Sequence, residues 1–147
     1  MATGISPRLR AVVDALPMGP ASRVLEIGCG PGVAARAVAG RLRTGQVLAT
    51  DRSATVIAQA LHGSAEEIAA GRMTVRCVAA EDLVLEDGEE PYDLVFAIRV
   101  GALDGRHPAA GIRALQQIAA VTTPDARLFV DGGDPLREIV IPRDDRP

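Results

Sequence analysis

One stretch constrains the fold of this chain more than any other: Val24-Leu25-Glu26-Ile27-Gly28-Cys29-Gly30-Pro31-Gly32-Val33-Ala34-Ala35-Arg36. An apolar run ends in glycines at alternate positions and passes directly into an alanine-rich segment, which predicts a buried strand, a tight loop and a helix. A missing Cβ lets the chain turn sharply and lets a ligand approach backbone N–H groups, while the helix amino terminus adds a partial positive charge. A second apolar run ends in Asp51, nineteen residues beyond Gly32, where a carboxylate can accept hydrogen bonds from both hydroxyls of a ribose. Residues 24–51 therefore read as a strand, glycine loop, helix, strand unit whose loop cradles a nucleoside cofactor. The plainer alternatives are a turn that binds nothing and an Asp51 that merely caps a helix, a role Ser53 could also fill.

The rest of the chain continues the alternation of short apolar and longer amphipathic segments that marks a parallel sheet with crossover helices. Strands are predicted at 23–27, 46–50, 74–79, 92–98 and 127–131, and helices at about 7–16, 33–42, 53–70 and 108–121, with Gly63 and Ser64 able to interrupt the third. Residues 81–91 are acidic and read as a loop with at most one helical turn. A chain of 147 residues supports one core, and with two Phe, one Tyr and no Trp that core must be aliphatic. Residues 1–142 are expected to form a single domain and 143–147 a disordered tail.

All sixteen basic residues are Arg, scattered among nineteen acids for a net charge of −3, with no basic stripe interleaved with aromatics. Nucleic acid is thus not an expected partner. No apolar run reaches the roughly 18–20 residues of a membrane span, and none resembles a signal peptide. Cys29 and Cys77, both read as internal, form no metal-ligand spacing. A cytoplasmic protein without a metal is expected. Cys29 between two glycines reads as a backbone contributor rather than a nucleophile, and His62 as a surface or helix-terminal residue.

The motif separates two cofactor classes. The dinucleotide pattern wants a glycine three positions after its second, where this chain has Val33, and does not ask for an acid two residues before its first, where this chain has Glu26. Here the sequence resembles the class I S-adenosylmethionine-dependent methyltransferases, whose first motif runs acid, x, Gly, x, Gly, x, Gly; Glu26, Gly28, Gly30 and Gly32 match it. The likeness covers roughly residues 5–131. Asp51 and Ser53 look like the ribose segment, Ala80-Glu81-Asp82-Leu83 like the adenine segment, and Tyr92-Asp93-Leu94-Val95-Phe96-Ala97 like the fourth strand. Pro124-Asp125-Ala126-Arg127-Leu128-Phe129-Val130 looks like the entry to the fifth.

The resemblance implies a Rossmann-like three-layer α/β sandwich, mostly parallel, with strand order 3-2-1-4-5; where the family usually adds a helix and an antiparallel strand pair, the sixteen residues after Asp131 suffice for at most one short further strand near 138–141. It implies that the backbone of Gly28, Cys29 and Gly30 holds the methionine part of S-adenosylmethionine, that Glu26 braces the loop or reaches the amino group, and that Ala80 and Glu81 face adenine. Ala79 stands where the family often has an acid, and Arg52 replaces an apolar residue that stacks on the ring. Arg52 could stack through its guanidinium, or Glu81 could supply the missing acceptor.

Arg99 closes the fourth strand at the carboxyl edge, where open α/β sheets place their ligand crevice. It could bind an acidic substrate group or the cofactor's carboxylate, or pair with Asp104. If a general base operates, Asp104 and His107 in the following loop are the candidates, and Asp131 and Asp134 end at the same edge. The absence of DNA-methyltransferase motifs favours a small-molecule acceptor, and methyl transfer from a sulfonium is an in-line displacement that need not show a fixed catalytic residue. Two other functions stand beside this one: a cofactor-binding domain without catalysis and a nicotinamide-binding oxidoreductase. The thin cover expected beside the fifth strand suggests a homodimer.

Overall fold

The computed structural model describes residues 4–143. Six strands form one sheet in the order β3-β2-β1-β4-β5-β6. These are β1 (Arg23–Ile27), β2 (Gln46–Asp51), β3 (Met73–Cys77), β4 (Tyr92–Ala97), β5 (Thr122–Asp131) and β6 (Leu136–Ile139). The first five pair in parallel and β6 runs antiparallel to β5. The order 3-2-1-4-5 with one short additional strand is the expected Rossmann-like sandwich.

The helices are α1 (Pro7–Ala15), α2 (Val33–Ala39), α3 (Ala54–Gly63), α4 (Ala65–Ala69) and α5 (Pro108–Ala120). Ser6 caps α1 by accepting from the Leu9 amide at 3.2 Å, with Pro7 opening the helix. The expected break near Gly63 is real: Ser64, fully buried, separates α3 from α4. Arg36 explains the burial, since its guanidinium donates to Ser64 Oγ at 3.0 Å and to the Pro31 carbonyl at 2.8 Å.

Alternating residues divide the core between two faces, as the pleat requires. Val24, Val47, Leu94 and Phe96 pack with Val13, Val38 and Ile57 on one side, while Leu25, Leu48, Val95 and Leu128 pack with Ala114 and Ile118 of α5 on the other. Glu26 shares the parity of Val24, so it points beneath α2 rather than toward α5.

Four expectations are corrected. Cys77, read as core, is exposed, because β3 is an edge strand and its last residue emerges at the carboxyl edge beyond the cover of α3. β5 begins at Thr122 rather than near 127. Its register jumps between the Tyr92/Thr122 and Leu94/Arg127 pairs, so that Pro124, which has no amide to donate, and Asp125 lie exposed in a bulge. β6 lies at Leu136–Ile139 and is clamped to β5 by Arg127, whose guanidinium donates twice to Glu138 at 3.0 and 2.9 Å. Arg143, assigned to the tail from sequence, donates to the Ala119 carbonyl and to Thr122 Oγ1, each at 3.1 Å. The remaining tail residues, 144–147, lie outside the described residues.

Candidate functional site

β1 delivers the chain to the carboxyl edge of the sheet, where Gly28, Gly30 and Gly32 take left-handed φ values of 72°, 54° and 91°. Any residue with a Cβ resists that conformation. Gly28 has a second constraint: a Cβ there would stand 2.6 Å from Cγ2 of Val100 in the loop after β4. Gly28→Ala is expected to destabilise the fold by about 1–2 kcal/mol from backbone strain alone, read as a lower urea midpoint at unchanged m-value. A variant as stable as its parent would show that Val100 yields and the strain is absorbed.

Most of the loop's amides are committed within the protein. Cys29 N–H donates to the Thr50 carbonyl at 2.8 Å and Gly32 N–H to the Cys29 carbonyl at 3.0 Å. Gly30 N–H donates to Asp51 Oδ2 at 3.0 Å, and Asp51 Oδ1 accepts from the Ser53 amide at 3.0 Å. Asp51 thus braces the loop and the start of α3 together, and its carboxylate keeps lone pairs for a ligand. Ser53, not Asp51, is the cap of α3, accepting from the Val56 amide. Gly32, grouped with the cofactor residues from its motif, is on the wall of neither cavity described below: it is buried against Arg36, Ala60 and Ser64 and turns the chain into α2.

Glu26 is different in kind. It is 3% exposed, and its Oε1 is buried with no hydrogen-bond partner among the described residues. Burial pushes its carboxyl up to about 8, the Ala35 amide opposing and the Asp51 charge adding. Since Asp51 does the bracing, Glu26 is left as an orphaned acceptor beside the loop, and such a group calls for a donor. Cys29 is buried, and burial with the Glu26 and Asp51 charges pushes its thiol up to about 12, which removes it as a nucleophile.

Two cavities meet at this edge. The larger, about 730 Å³, lies over β2, β3 and β4, with Asp51, Arg52, Ala80, Glu81, Arg99 and His107 on its wall. The smaller, about 300 Å³, lies between α1 and the loop, with Arg8, Glu26, Cys29, Gly30 and Ala34 on its wall. Gly28 and Arg99 belong to both. The structure therefore brings together every residue singled out from sequence as cofactor-binding except Gly32.

The two candidate bases differ. His107, exposed, precedes α5 with its ring against Gly101 and reaches the larger cavity. Asp104 does not line it; Arg106 grips its carboxylate at 2.8 Å and holds it below the usual carboxylate range, so it is a poor proton acceptor. Arg99 does not pair with Asp104 either. Sequence reasoning missed Arg8 and Arg113. Arg113 had a signal: on a helix opening at this edge, 109, 110 and 113 share the face that meets the cavity.

A parallel α/β sheet with a glycine loop, an acid ending the second strand and a cavity at its carboxyl edge defines a nucleoside-cofactor domain. Residues 24–125 match the family model described as methyltransferase domain. The chain belongs to this family, the class I S-adenosylmethionine-dependent methyltransferases. It is 34% identical over 89 residues, 60% of its length, to trans-aconitate 2-methyltransferase from Streptomyces avermitilis, of which it spans 32%. It resembles the solved structure of an S-adenosylmethionine-dependent methyltransferase from Aquifex aeolicus with a TM-score of 0.67 at 18% identity, covering 83% of this chain and 62% of that one. It likewise resembles phosphoethanolamine N-methyltransferase 1 from Haemonchus contortus, solved with phosphoethanolamine and S-adenosylhomocysteine. There the TM-score is 0.67 at 22% identity, over 84% of this chain and 24% of that one. These two likenesses are of fold.

The residues present fit the family's cofactor, S-adenosylmethionine. Glu26 offers a buried acceptor to an ammonium, Asp51 has lone pairs left for ribose hydroxyls, and the two compartments joined at Gly28 suit a molecule with an amino-acid end and a nucleoside end.

Proposed function

We propose that this chain transfers a methyl group from S-adenosylmethionine to a small-molecule acceptor. The observation that carries the reading is the orphaned Glu26 carboxyl set beside the glycine loop at the joined cavities. The cofactor supplies a methyl group on a sulfonium, ready for in-line displacement. The chain's residues contribute position: Glu26 and the glycine loop hold the amino-acid end, Asp51 the ribose, and Arg52, Ala80 and Glu81 border the nucleoside compartment. Holding two reactants in line is worth effective molarities on the order of 10⁵–10⁸ M, so a fixed base is not required of such a site. His107 is the residue available to take a proton where the acceptor must lose one. The relative named for trans-aconitate supports a small acceptor.

Calorimetry with S-adenosylmethionine, S-adenosylhomocysteine and NAD tests the cofactor. Heat with the first two and none with NAD is expected; the reverse would make the protein an oxidoreductase. A coupled screen for S-adenosylhomocysteine release over small acceptors then separates an enzyme from an idle binding domain.

Two further proposals concern setting and assembly. No helix among the described residues is long and apolar enough to cross a membrane, and two free thiols, one of them exposed, suit the cytoplasm. Among the described residues the outer edge of β6 has no strand partner, and the adjoining Val140 is 85% exposed, which favours a homodimer through that edge. A single monomeric boundary in concentrated sedimentation-velocity runs would refute the dimer.

A further inference from the structure

We propose that Arg99 binds the anionic group of an acidic methyl acceptor, a small molecule carrying a carboxylate or a phosphate; the inference rests on the methyltransferase reading above. Position is the first argument. Arg99 and Gly28 are the two residues common to both cavity walls, so Arg99 stands where the amino-acid compartment meets the nucleoside compartment. An acceptor presented to the centre of a cofactor that spans both must approach that junction.

The second argument is the backbone. Arg99 has φ 58°, and among the described residues it is the only non-glycine with positive φ. Its N–H donates to Asp131 Oδ1 at 3.0 Å, and its carbonyl accepts from Arg106 at 3.2 Å. Such a conformation persists where the surroundings over-determine it, and it concentrates at ligand-binding positions. The side chain accordingly leaves from a fixed base.

Charge is the third. Arg106 is neutralised by Asp104, but Arg99, Arg52 and Arg113, which line the larger cavity and outnumber its acids Asp51 and Glu81, have no carboxylate partner among the described residues. The methyl donor carries a sulfonium and an ammonium against one carboxylate, a net positive charge. Unpaired cations around a cationic donor repel it, and an anion on the acceptor relieves that repulsion. Guanidinium also presents the planar fork that matches carboxylate and phosphate oxygens. The donor's own carboxylate has another claimant in Arg8, which lines only the smaller cavity and is held loosely by Asp131 at 3.9 Å.

The test is calorimetry on the full chain saturated with S-adenosylhomocysteine. The titrants are a panel of small mono-, di- and tricarboxylates and phosphate monoesters, each beside its neutral methyl-ester or alcohol counterpart. Asparagine tolerates left-handed backbone, so Arg99→Asn keeps the fold, and Arg99→Lys keeps the charge. At least one anion is expected to bind where its neutral counterpart does not, more weakly as salt rises. Arg99→Asn should weaken it at least tenfold and Arg99→Lys should recover part of the loss, with S-adenosylhomocysteine affinity within threefold of the parent throughout. An anion affinity that ignores Arg99→Asn, a panel in which no anion binds, or a matching loss of S-adenosylhomocysteine affinity would each overturn the assignment. The last would give Arg99 to the cofactor's carboxylate. A parent protein that fails to bind S-adenosylhomocysteine would instead sink the underlying reading, and that result appears before any acceptor is added.

Discussion

Replacing Asp51 by Ala is expected to weaken S-adenosylhomocysteine binding at least about 100-fold, more than any other single change at the site. The carboxylate accepts two backbone amides, Gly30 N–H and Ser53 N–H, both at 3.0 Å. A hydrogen bond to a charged group contributes about 1.5–3 kcal/mol. Removing the carboxylate frees the glycine loop and the start of α3 at once, and also removes the acceptor proposed for the ribose. Amide hydrogen exchange should report the first effect without any ligand, through faster exchange at Gly30 and Ser53. Asp51→Asn should fall between parent and Ala, because its amide can accept from one backbone N–H while its NH2 group faces the other. Unchanged exchange at Gly30, together with near-parent affinity in Asp51→Ala, would show that the loop holds its shape unaided.

The double duty of Asp51 marks the boundary of what could be read in advance. The strand, loop, helix and strand were legible because each rests on local chemistry: an apolar run, glycines at alternate positions and an alanine-rich segment follow one another without a gap. Asp51 was legible as the acid ending β2. Its bond to Gly30 spans twenty-one positions and depends on how β1 and β2 align, which no local pattern records. Sequence therefore left two roles open for Glu26, and the bond to the Gly30 amide comes instead from Asp51 on the neighbouring strand.

Cys77 failed for a related reason. Met73, Val75 and Cys77 alternate as a half-buried strand should, yet the cover of α3 stops short of the end of β3. The cysteine emerges beside the cavity instead, with its Sγ 3.6 Å from the Arg52 carbonyl. Arg113 was hidden differently. It is an exposed arginine on an amphipathic helix, where a solvated face is the ordinary expectation, and only the convergence of α5 with the loop after β4 turns that face toward a cavity. Local periodicity thus located the elements and their inner faces, while side chains that meet across the carboxyl edge depended on tertiary placement.

Glu26 should make both stability and cofactor binding depend on pH, in opposite senses. Its carboxyl titrates near 8 in the folded protein against an ordinary value of 4.5, so between those values the folded chain binds the proton more tightly than the unfolded chain. The slope of unfolding free energy against pH follows the difference in bound protons and is negative over that interval. This contribution to stability is complete below about 4.5 and is lost as pH rises through about 8, amounting to a few kcal/mol on the scale of about 1.4 kcal/mol per pH unit. Glu26→Gln carries no such proton, so its urea midpoint should be flatter across the interval and should exceed the parent's at pH 8. An ammonium beside the carboxyl reverses the preference and favours the ionised form. Binding S-adenosylhomocysteine near neutral pH is therefore expected to expel a proton. Calorimetric heats should then vary with the ionisation enthalpy of the buffer, and affinity should rise from pH 6 to 8. In Glu26→Gln the buffer dependence should vanish and affinity fall about 10- to 100-fold, the loss of one charge-assisted bond. Equal pH slopes in parent and Glu26→Gln would place the titration on another group, and heats indifferent to buffer would mean that the ammonium does not meet this carboxyl.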